Sequence, residues 1–313
     1  MKLLIEIPTW LGDTIMAIPS LKIIIENNKD DELIFIGNHT SLDVIKNTFK
    51  SIKTIELKKN YLSLLNFAFK NRGFDIFISY RRSVRSLFFN NIIRSKKKYI
   101  YNRREFDSSH QVEKYCKFIS FIFQNVPYKK PEIEFLSPEY IFHQKADPYL
   151  VLNPGASYGE AKCWPPEYFA ELAWKLSTYL DIVIVGSKNN KDTSLKITSF
   201  LDKKKITNYY DYTGRTSIEE LFSIVKNAEL LITGDSGTMH IAAAYKKNSI
   251  SIFGPTDSTD TSQWKNPNDN ILKKHLDCQP CLARTCKLKH HNCMKLIKPN
   301  EVMELALRIY DEK

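Results

Sequence analysis

The stretch Leu230-Leu231-Ile232-Thr233-Gly234-Asp235-Ser236-Gly237-Thr238-Met239-His240-Ile241-Ala242-Ala243-Ala244, continued by Ser249-Ile250-Ser251-Ile252-Phe253-Gly254-Pro255-Thr256-Asp257, decides the fold class. Residues 230–232 are a short apolar run that reads as a buried strand. Thr233 to Gly237 make a tight polar turn, and residues 238–245 open a helix with Asp235 or Ser236 as its N-cap. Residues 250–253 form a second strand, closed by Gly254 and Pro255. Such a unit gathers its polar residues at the strand C-terminal ends, where open α/β sheets bind ligands. Free N–H groups at a helix start favour anions, phosphate above all. His240 follows Ser236 by four residues, so both lie on one helix face toward that anion. Two other readings use the same residues. One is an ordinary capped βαβ turn with His240 on the surface. The other is a serine-nucleophile turn, which needs a glycine where Thr238 stands.

Outward from this unit, strands and helices alternate in both halves. The first half offers strands at 2–7, 32–36, 54–57, 75–79 and 98–101, with helices at 14–27, 41–48, 61–70 and 111–123. Pro127, Pro131, Pro138 and Pro148 then punctuate residues 126–148, a stretch without a sustained period that reads as an interdomain connection. The alternation restarts with strands at 149–152, 182–185 and 206–211 and helices at 166–179, 191–201 and 218–226. The last helix, 300–310, is entered through Pro299 and is a candidate to pack back on the first domain. The pattern predicts an α/β protein of two doubly wound, Rossmann-like domains, 1–147 and 148–313, facing a cleft.

Composition narrows the class. The chain has 313 residues, 43% hydrophobic and 26% charged, which is enough for two cores. No apolar run reaches the 18 or so residues of a membrane span. Glu6 interrupts the apolar N-terminus, which reads as a strand and not a signal peptide. Six cysteines without an export signal argue for the cytoplasm. The net charge of +11 is uneven: residues 53–104 carry 14 Lys and Arg against Glu56 and Asp75. That excess points to an anionic partner held by the first half, or to a solvated surface in a lysine-rich chain.

Two further loops carry candidate chemistry. Pro8-Thr9-Trp10-Leu11-Gly12-Asp13-Thr14 joins the first strand to the first helix, with Asp13 placed either as a structural N-cap or as a general base facing the cleft. It is neither the dinucleotide glycine turn nor a P-loop. Its counterpart in the second half is Asn153-Pro154-Gly155-Ala156-Ser157, continuing through Glu160-Ala161-Lys162-Cys163-Trp164-Pro165. Ser157 offers a hydroxyl and Lys162 a point charge, both suited to phosphate oxygens.

Five motifs in this order, Trp10-Leu11-Gly12-Asp13 with Pro19 downstream, Asn153-Pro154-Gly155-Ala156, Lys162 with Trp164-Pro165, Asp235 to His240, and Gly254-Pro255-Thr256-Asp257, resemble the ADP-heptose:lipopolysaccharide heptosyltransferases of glycosyltransferase family 9 over nearly the whole chain. The resemblance implies a GT-B fold, with the nucleotide sugar in the second domain and the acceptor in the first. It implies inverting transfer of heptose from ADP-L-glycero-β-D-manno-heptose to the heptose/Kdo inner core of lipopolysaccharide or lipooligosaccharide. Asp13 matches the family's proposed base. Ser157, Lys162, Asp235, Ser236, Gly237, Thr238, His240 and Thr256 match or flank its ADP contacts. Trp10, Arg81, Arg82 and Arg85 are candidates for the lipid-anchored acceptor. Without an Asp-x-Asp motif, the charge of the departing ADP falls to helix-start N–H groups, Lys162 and His240, with no metal cofactor expected.

The tail containing Cys278, Cys281, Cys286, His290, His291 and Cys293 is similar to that of family members adding the second inner-core heptose. It also has the residue types of a structural zinc site, against which stands reduced, metal-free packing under a loop. The basic residues between 81 and 104 suit the phosphates and carboxylates of the inner core and peripheral contact with an anionic inner membrane at its cytoplasmic face. The competing classes are a family 9 transferase with another nucleotide sugar or acceptor, and a nucleic-acid-binding protein. No nucleic-acid partner is expected.

Overall fold

The computed structural model describes residues 1–58, 60–107, 110–124, 132–136, 148–156 and 158–311. The chain divides into two compact units, Met1–Ser137 and Pro138–Lys313. The domain boundary expected after residue 147, and most of the connection expected over 126–148, lie outside the described residues.

The first unit is built on a parallel sheet in the order β3-β2-β1-β4-β5. Its strands are β1 (Lys2–Glu6), β2 (Glu32–Gly37), β3 (Lys53–Glu56), β4 (Phe74–Ser79) and β5 (Ser95–Ile100). Leu3, Leu4 and Ile5 of the central β1 are all 0% exposed, as expected of a strand covered on both faces. The helices are α1 (Leu11–Asn27), α2 (His39–Lys46), α3 (Tyr61–Lys70), α4 (Val84–Ile92) and α5 (Gln111–Ile122). The chain reverses its direction of travel across the sheet after β3. Leu64, Phe67 and Ala68 of α3 and Phe89 of α4 therefore pack together over Leu4, Ile34 and Phe77, while α1 lies with α2 and α5. Helix α4 is not among the expected helices. Ser83 starts it by accepting from the Ser86 N–H, as Asn60 starts α3 by accepting from Ser63.

The second unit has a parallel six-stranded sheet in the order β11-β10-β9-β6-β7-β8. Its strands are β6 (Tyr149–Asn153), β7 (Asp181–Ile184), β8 (Tyr209–Asp211), β9 (Leu230–Gly234), β10 (Ser249–Phe253) and β11 (Asp269–Lys273). Between and after them run α6 (Pro166–Leu176), α7 (Lys191–Lys203), α8 (Ile218–Asn227), α9 (Gly237–Ala244), α10 (Ser258–Thr261), α11 (Asn292–Lys295) and α12 (Pro299–Asp311). Strand β8 is shorter than expected, and β11, α10 and α11 are additions. Helix α12 packs on α6, with Val302 and Ala306 in the core of this unit, which is where the C-terminal helix is anchored. Among the described residues, no helix is long and apolar enough to cross a membrane.

Candidate functional site

Strand order in the second unit fixes where a ligand can sit. The chain builds β6, β7 and β8 outward in one direction and β9, β10 and β11 in the other, so the switch point lies between the paired strands β6 and β9. At the C-terminal ends of these strands stand Asn153 on β6 and the Gly234–Gly237 turn after β9, with Thr256 beyond β10. The sequence places the turn and Thr256 more than eighty positions after Asn153; parallel pairing brings all of them to one edge.

Asp235 is the centre of this edge. Its carboxylate is 6% exposed and one oxygen, Oδ2, accepts from Lys162 Nζ at 2.5 Å and from Thr256 Oγ1 at 2.7 Å. Lys162 reaches it from the 3-10 turn Glu160–Lys162, with the ammonium also 4.9 Å over the Tyr158 ring. Gly234 lets that turn come so close, because a Cβ there would stand 3.1 Å from the Lys162 carbonyl oxygen. The ammonium thus has one donor on Asp235 and is oriented before any ligand arrives.

Ser236, and not Asp235, holds the N-cap position of α9, yet its side chain makes no cap bond. Its hydroxyl pairs instead with Thr233 Oγ1 at 2.9 Å and accepts from Asn153 Nδ2 at 3.0 Å. The same amide of Asn153 donates to Thr238 Oγ1 at 2.6 Å, and its carbonyl accepts from the Gly155 N–H at 3.3 Å. Asn153 therefore fixes both phosphate-type turns and draws the serine away from the helix start. Among the described residues, the N-cap side chain of Ser236 leaves the first N–H groups of α9 uncapped, so the partial positive charge of the helix start faces an incoming anion. His240, one turn further along, is 2% exposed and belongs to the buried face of α9; the surface placement that the ordinary-turn reading assigned to it does not occur. Ser157 lies outside the described residues.

The tail supports this edge from behind. Ala161 N–H donates to the Arg284 carbonyl at 3.0 Å, and Leu282 N–H to the Pro255 carbonyl at 2.9 Å. Gln279 Nε2 donates to the Gly254 carbonyl at 2.5 Å, and His291 Nε2 lies 2.9 Å from the Ala161 carbonyl. Trp164 Nε1 donates to the Ile297 carbonyl at 2.9 Å from a fully buried position. Cys278, Cys281, Cys286 and Cys293 are free thiols. Burial, then the charges of the other three, push the Cys293 thiol up to about 11. Among the described residues, no group of three or more His, Cys, Asp and Glu side chains is arranged to hold a metal ion.

In the first unit the corresponding sheet edge carries Glu6, Trp10, Asp13 and the arginines after β4. Helix α1 begins at Leu11, with half-exposed Trp10 in the N-cap position, so Asp13 lies in the first turn and does not cap the helix. The loop before it is pinned from the β2–α2 turn: Asn38 Nδ2 and Ser41 Oγ both donate to the Thr9 carbonyl, at 2.9 and 3.2 Å. Thr14 Oγ1 adds a bond to the Trp10 carbonyl at 2.9 Å. Asp13 is half-buried, and its charge adds to burial in raising the phenols of Tyr115 and of Tyr101, the latter to about 12.

In the sequence Glu6 shows only as a break in an apolar run. It is 1% exposed, and its carboxylate accepts from Ser79 Oγ at 2.6 Å, Ser86 Oγ at 2.5 Å and Arg81 Nη1 at 3.2 Å. Arg81 is therefore tied to Glu6. Arg85 donates to the Lys58 carbonyl at 2.6 Å, with partial burial, foremost, lowering its guanidinium. Arg82 is exposed.

Residues 68–292 match the family model described as glycosyltransferase family 9 (heptosyltransferase). Lipooligosaccharide heptosyltransferase 2 of Campylobacter jejuni subsp. jejuni serotype O:2 is 36% identical over 316 residues, covering 98% of this chain and 97% of its own. The solved structure of E. coli ADP-heptose LPS heptosyltransferase II aligns with a TM-score of 0.80 at 18% identity, covering 100% of this chain and 99% of its own. E. coli heptosyltransferase WaaC with ADP aligns with a TM-score of 0.77 at 13% identity, covering 99% and 100%. These likenesses bear out the expected GT-B fold class.

Proposed function

The chain belongs to glycosyltransferase family 9, the heptosyltransferases, and from that membership we propose that it acts as a heptosyltransferase II. In this reading it moves L-glycero-D-manno-heptose from ADP-heptose to the heptose/Kdo inner core of lipopolysaccharide or lipooligosaccharide, with inversion. The observation that carries the reading is the Lys162–Asp235–Thr256 cluster beside the uncapped start of α9, at the switch point of the second sheet.

The diphosphate of the donor lies on that edge. The N–H groups at Gly237 and Thr238 and the remaining donors of Lys162 take up charge as ADP departs, and His240 lines the same helix. Removing one such donor costs about 3 kcal/mol of barrier. Asp235 and Thr256 position Lys162, Asn153 positions Ser236 and Thr238, and Ser157 completes the donor set. Asp13 takes the acceptor proton as the hydroxyl attacks, worth roughly 10²–10⁴ in rate. Trp10, Arg82 and Arg85 face the anionic acceptor, with Arg81 held in place by Glu6. The chemistry runs without a metal cofactor, so turnover is expected to survive EDTA. The enzyme works in the cytoplasm in peripheral contact with the anionic inner membrane and takes no nucleic acid.

The test is which nucleotide raises the melting temperature. ADP alone supports the reading, and UDP or GDP alone sinks the donor assignment. Asp13→Ala is expected to abolish transfer while keeping the ADP-induced shift; substantial residual turnover would remove Asp13 from the base role.

A further inference from the structure

Helix α3, Tyr61-Leu62-Ser63-Leu64-Leu65-Asn66-Phe67-Ala68-Phe69-Lys70, is apolar on two faces. Leu64, Phe67 and Ala68 are buried in the core of the first unit. Leu62, Leu65 and Phe69 are 77%, 44% and 72% exposed. Spacings of three and four residues put those three on one stripe pointing away from the core. The neighbouring α4 extends the patch with Val84, 79% exposed, and Leu87. The two helices are joined by the Tyr61–Phe88 ring contact at 5.0 Å, and Arg85 of α4 donates to the Lys58 carbonyl in the loop that leads into α3. Contiguous exposed apolar surface of this kind marks an interaction face.

The surrounding charge selects the occupant. From Leu57 to Arg94 the chain carries eight Lys and Arg against the single acid Asp75, which is half-buried and paired with Lys96 at 2.7 Å. Lys58, Lys70, Arg72, Arg82 and Arg94 are exposed around the two helices, and the Arg72 guanidinium lies over the Phe69 ring at 4.8 Å. A second copy would bring the same positive field against itself. An apolar stripe rimmed by cations fits an anionic lipid surface, with each basic residue near the surface strengthening binding roughly fivefold.

We propose that the outer face of α3, Leu62, Leu65 and Phe69 with the start of α4, inserts into the interface of an anionic membrane. Both helices begin at the sheet edge that carries Arg81, Arg82 and Arg85, because helices in parallel βαβ units run antiparallel to the strands. Docking through this face brings the acceptor edge to headgroup level, where a lipid-anchored acceptor stands; this placement rests on the function proposed above.

Flotation with vesicles tests it. The parent is expected to bind an equal mixture of phosphatidylcholine and phosphatidylglycerol and to bind phosphatidylcholine alone only weakly. The triple variant Leu62→Ser, Leu65→Ser, Phe69→Ser is expected to lose binding by roughly tenfold or more. Equal binding of parent and variant would overturn the proposal in favour of attraction by charge alone. So would parent self-association, in sedimentation velocity, that the variant abolishes without a change in vesicle binding. A separate Phe69→Trp reporter is expected to shift its emission to the blue on the anionic vesicles, and no shift refutes insertion. Transfer to an acceptor oligosaccharide stripped of lipid reads the function independently. The triple variant keeps it if the face serves only docking, and a parent that docks through α3 yet transfers no heptose refutes the function and not the docking.

Discussion

Asp235→Ala removes one partner of a buried ion pair, and its cost follows from the geometry. At 2.5 Å between Lys162 Nζ and Asp235 Oδ2, an effective dielectric of about 20 gives an attraction of roughly 7 kcal/mol. Taking both ions out of water costs several kcal/mol each, so the intact pair contributes little net stability. The variant strands the Lys162 ammonium, whose side chain is 13% exposed, without a counter-charge. That imbalance costs about 3–5 kcal/mol, or roughly 10 °C of melting temperature. Adding Lys162→Met removes the stranded charge, and the double variant is expected to recover at least half of the loss. Thermal and urea unfolding without nucleotide measure all three variants, and the cycle isolates the coupling. A single-variant loss below about 1 kcal/mol, or a double variant that merely sums the two singles, would refute the pair as a buried and coupled unit.

Other outcomes follow from the same accounting of buried groups. Glu6→Ala leaves Arg81, Ser79 and Ser86 without their shared acceptor and is expected to cost about 3–5 kcal/mol in urea unfolding, with Glu6→Gln milder. Trp164→Phe orphans the Ile297 carbonyl and should cost about 1–3 kcal/mol. Cys293, raised to about 11, carries roughly a hundredfold less thiolate at pH 8 than an ordinary thiol. Iodoacetamide followed by mass spectrometry is expected to label exposed Cys281 first and, of the four tail thiols, Cys293 last, with Cys116, buried and raised to about 12, slower still. Because the folded state favours the neutral Cys293 thiol, its stabilising contribution is full below the unfolded thiol value and is lost as pH rises through about 11.

Local chemistry was legible and long-range chemistry was not. The helix at 61–70 matches its expected bounds because Asn60 caps it and its inner residues keep a helical period. Strand β11, Asp269–Lys273, is a half-exposed edge strand whose polar residues give no alternation to read. Helix α4 begins among arginines, which masked the cap at Ser83. Asp13 looks like a cap in the sequence because the restraints that start α1 earlier come from Asn38 and Ser41, 29 and 32 residues from the Thr9 carbonyl they hold. The motifs around Lys162, Asp235 and Thr256 were visible one by one, and their convergence on a single carboxylate oxygen required the fold. Asn153 stood inside a recognised motif, yet its function depends on Ser236 and Thr238, more than eighty residues downstream.

The bracing of the donor edge by the tail has a consequence in time. Residues 153–256 supply the side chains proposed to meet the nucleotide, but their turns are backed by Gln279, Leu282, Arg284, His291 and Ile297. On the ribosome, where domains fold as they emerge, the first unit can close around its own sheet while the donor edge still lacks its backstops. Nucleotide affinity should therefore appear abruptly and late in synthesis, once the cysteine-rich segment has cleared the exit tunnel.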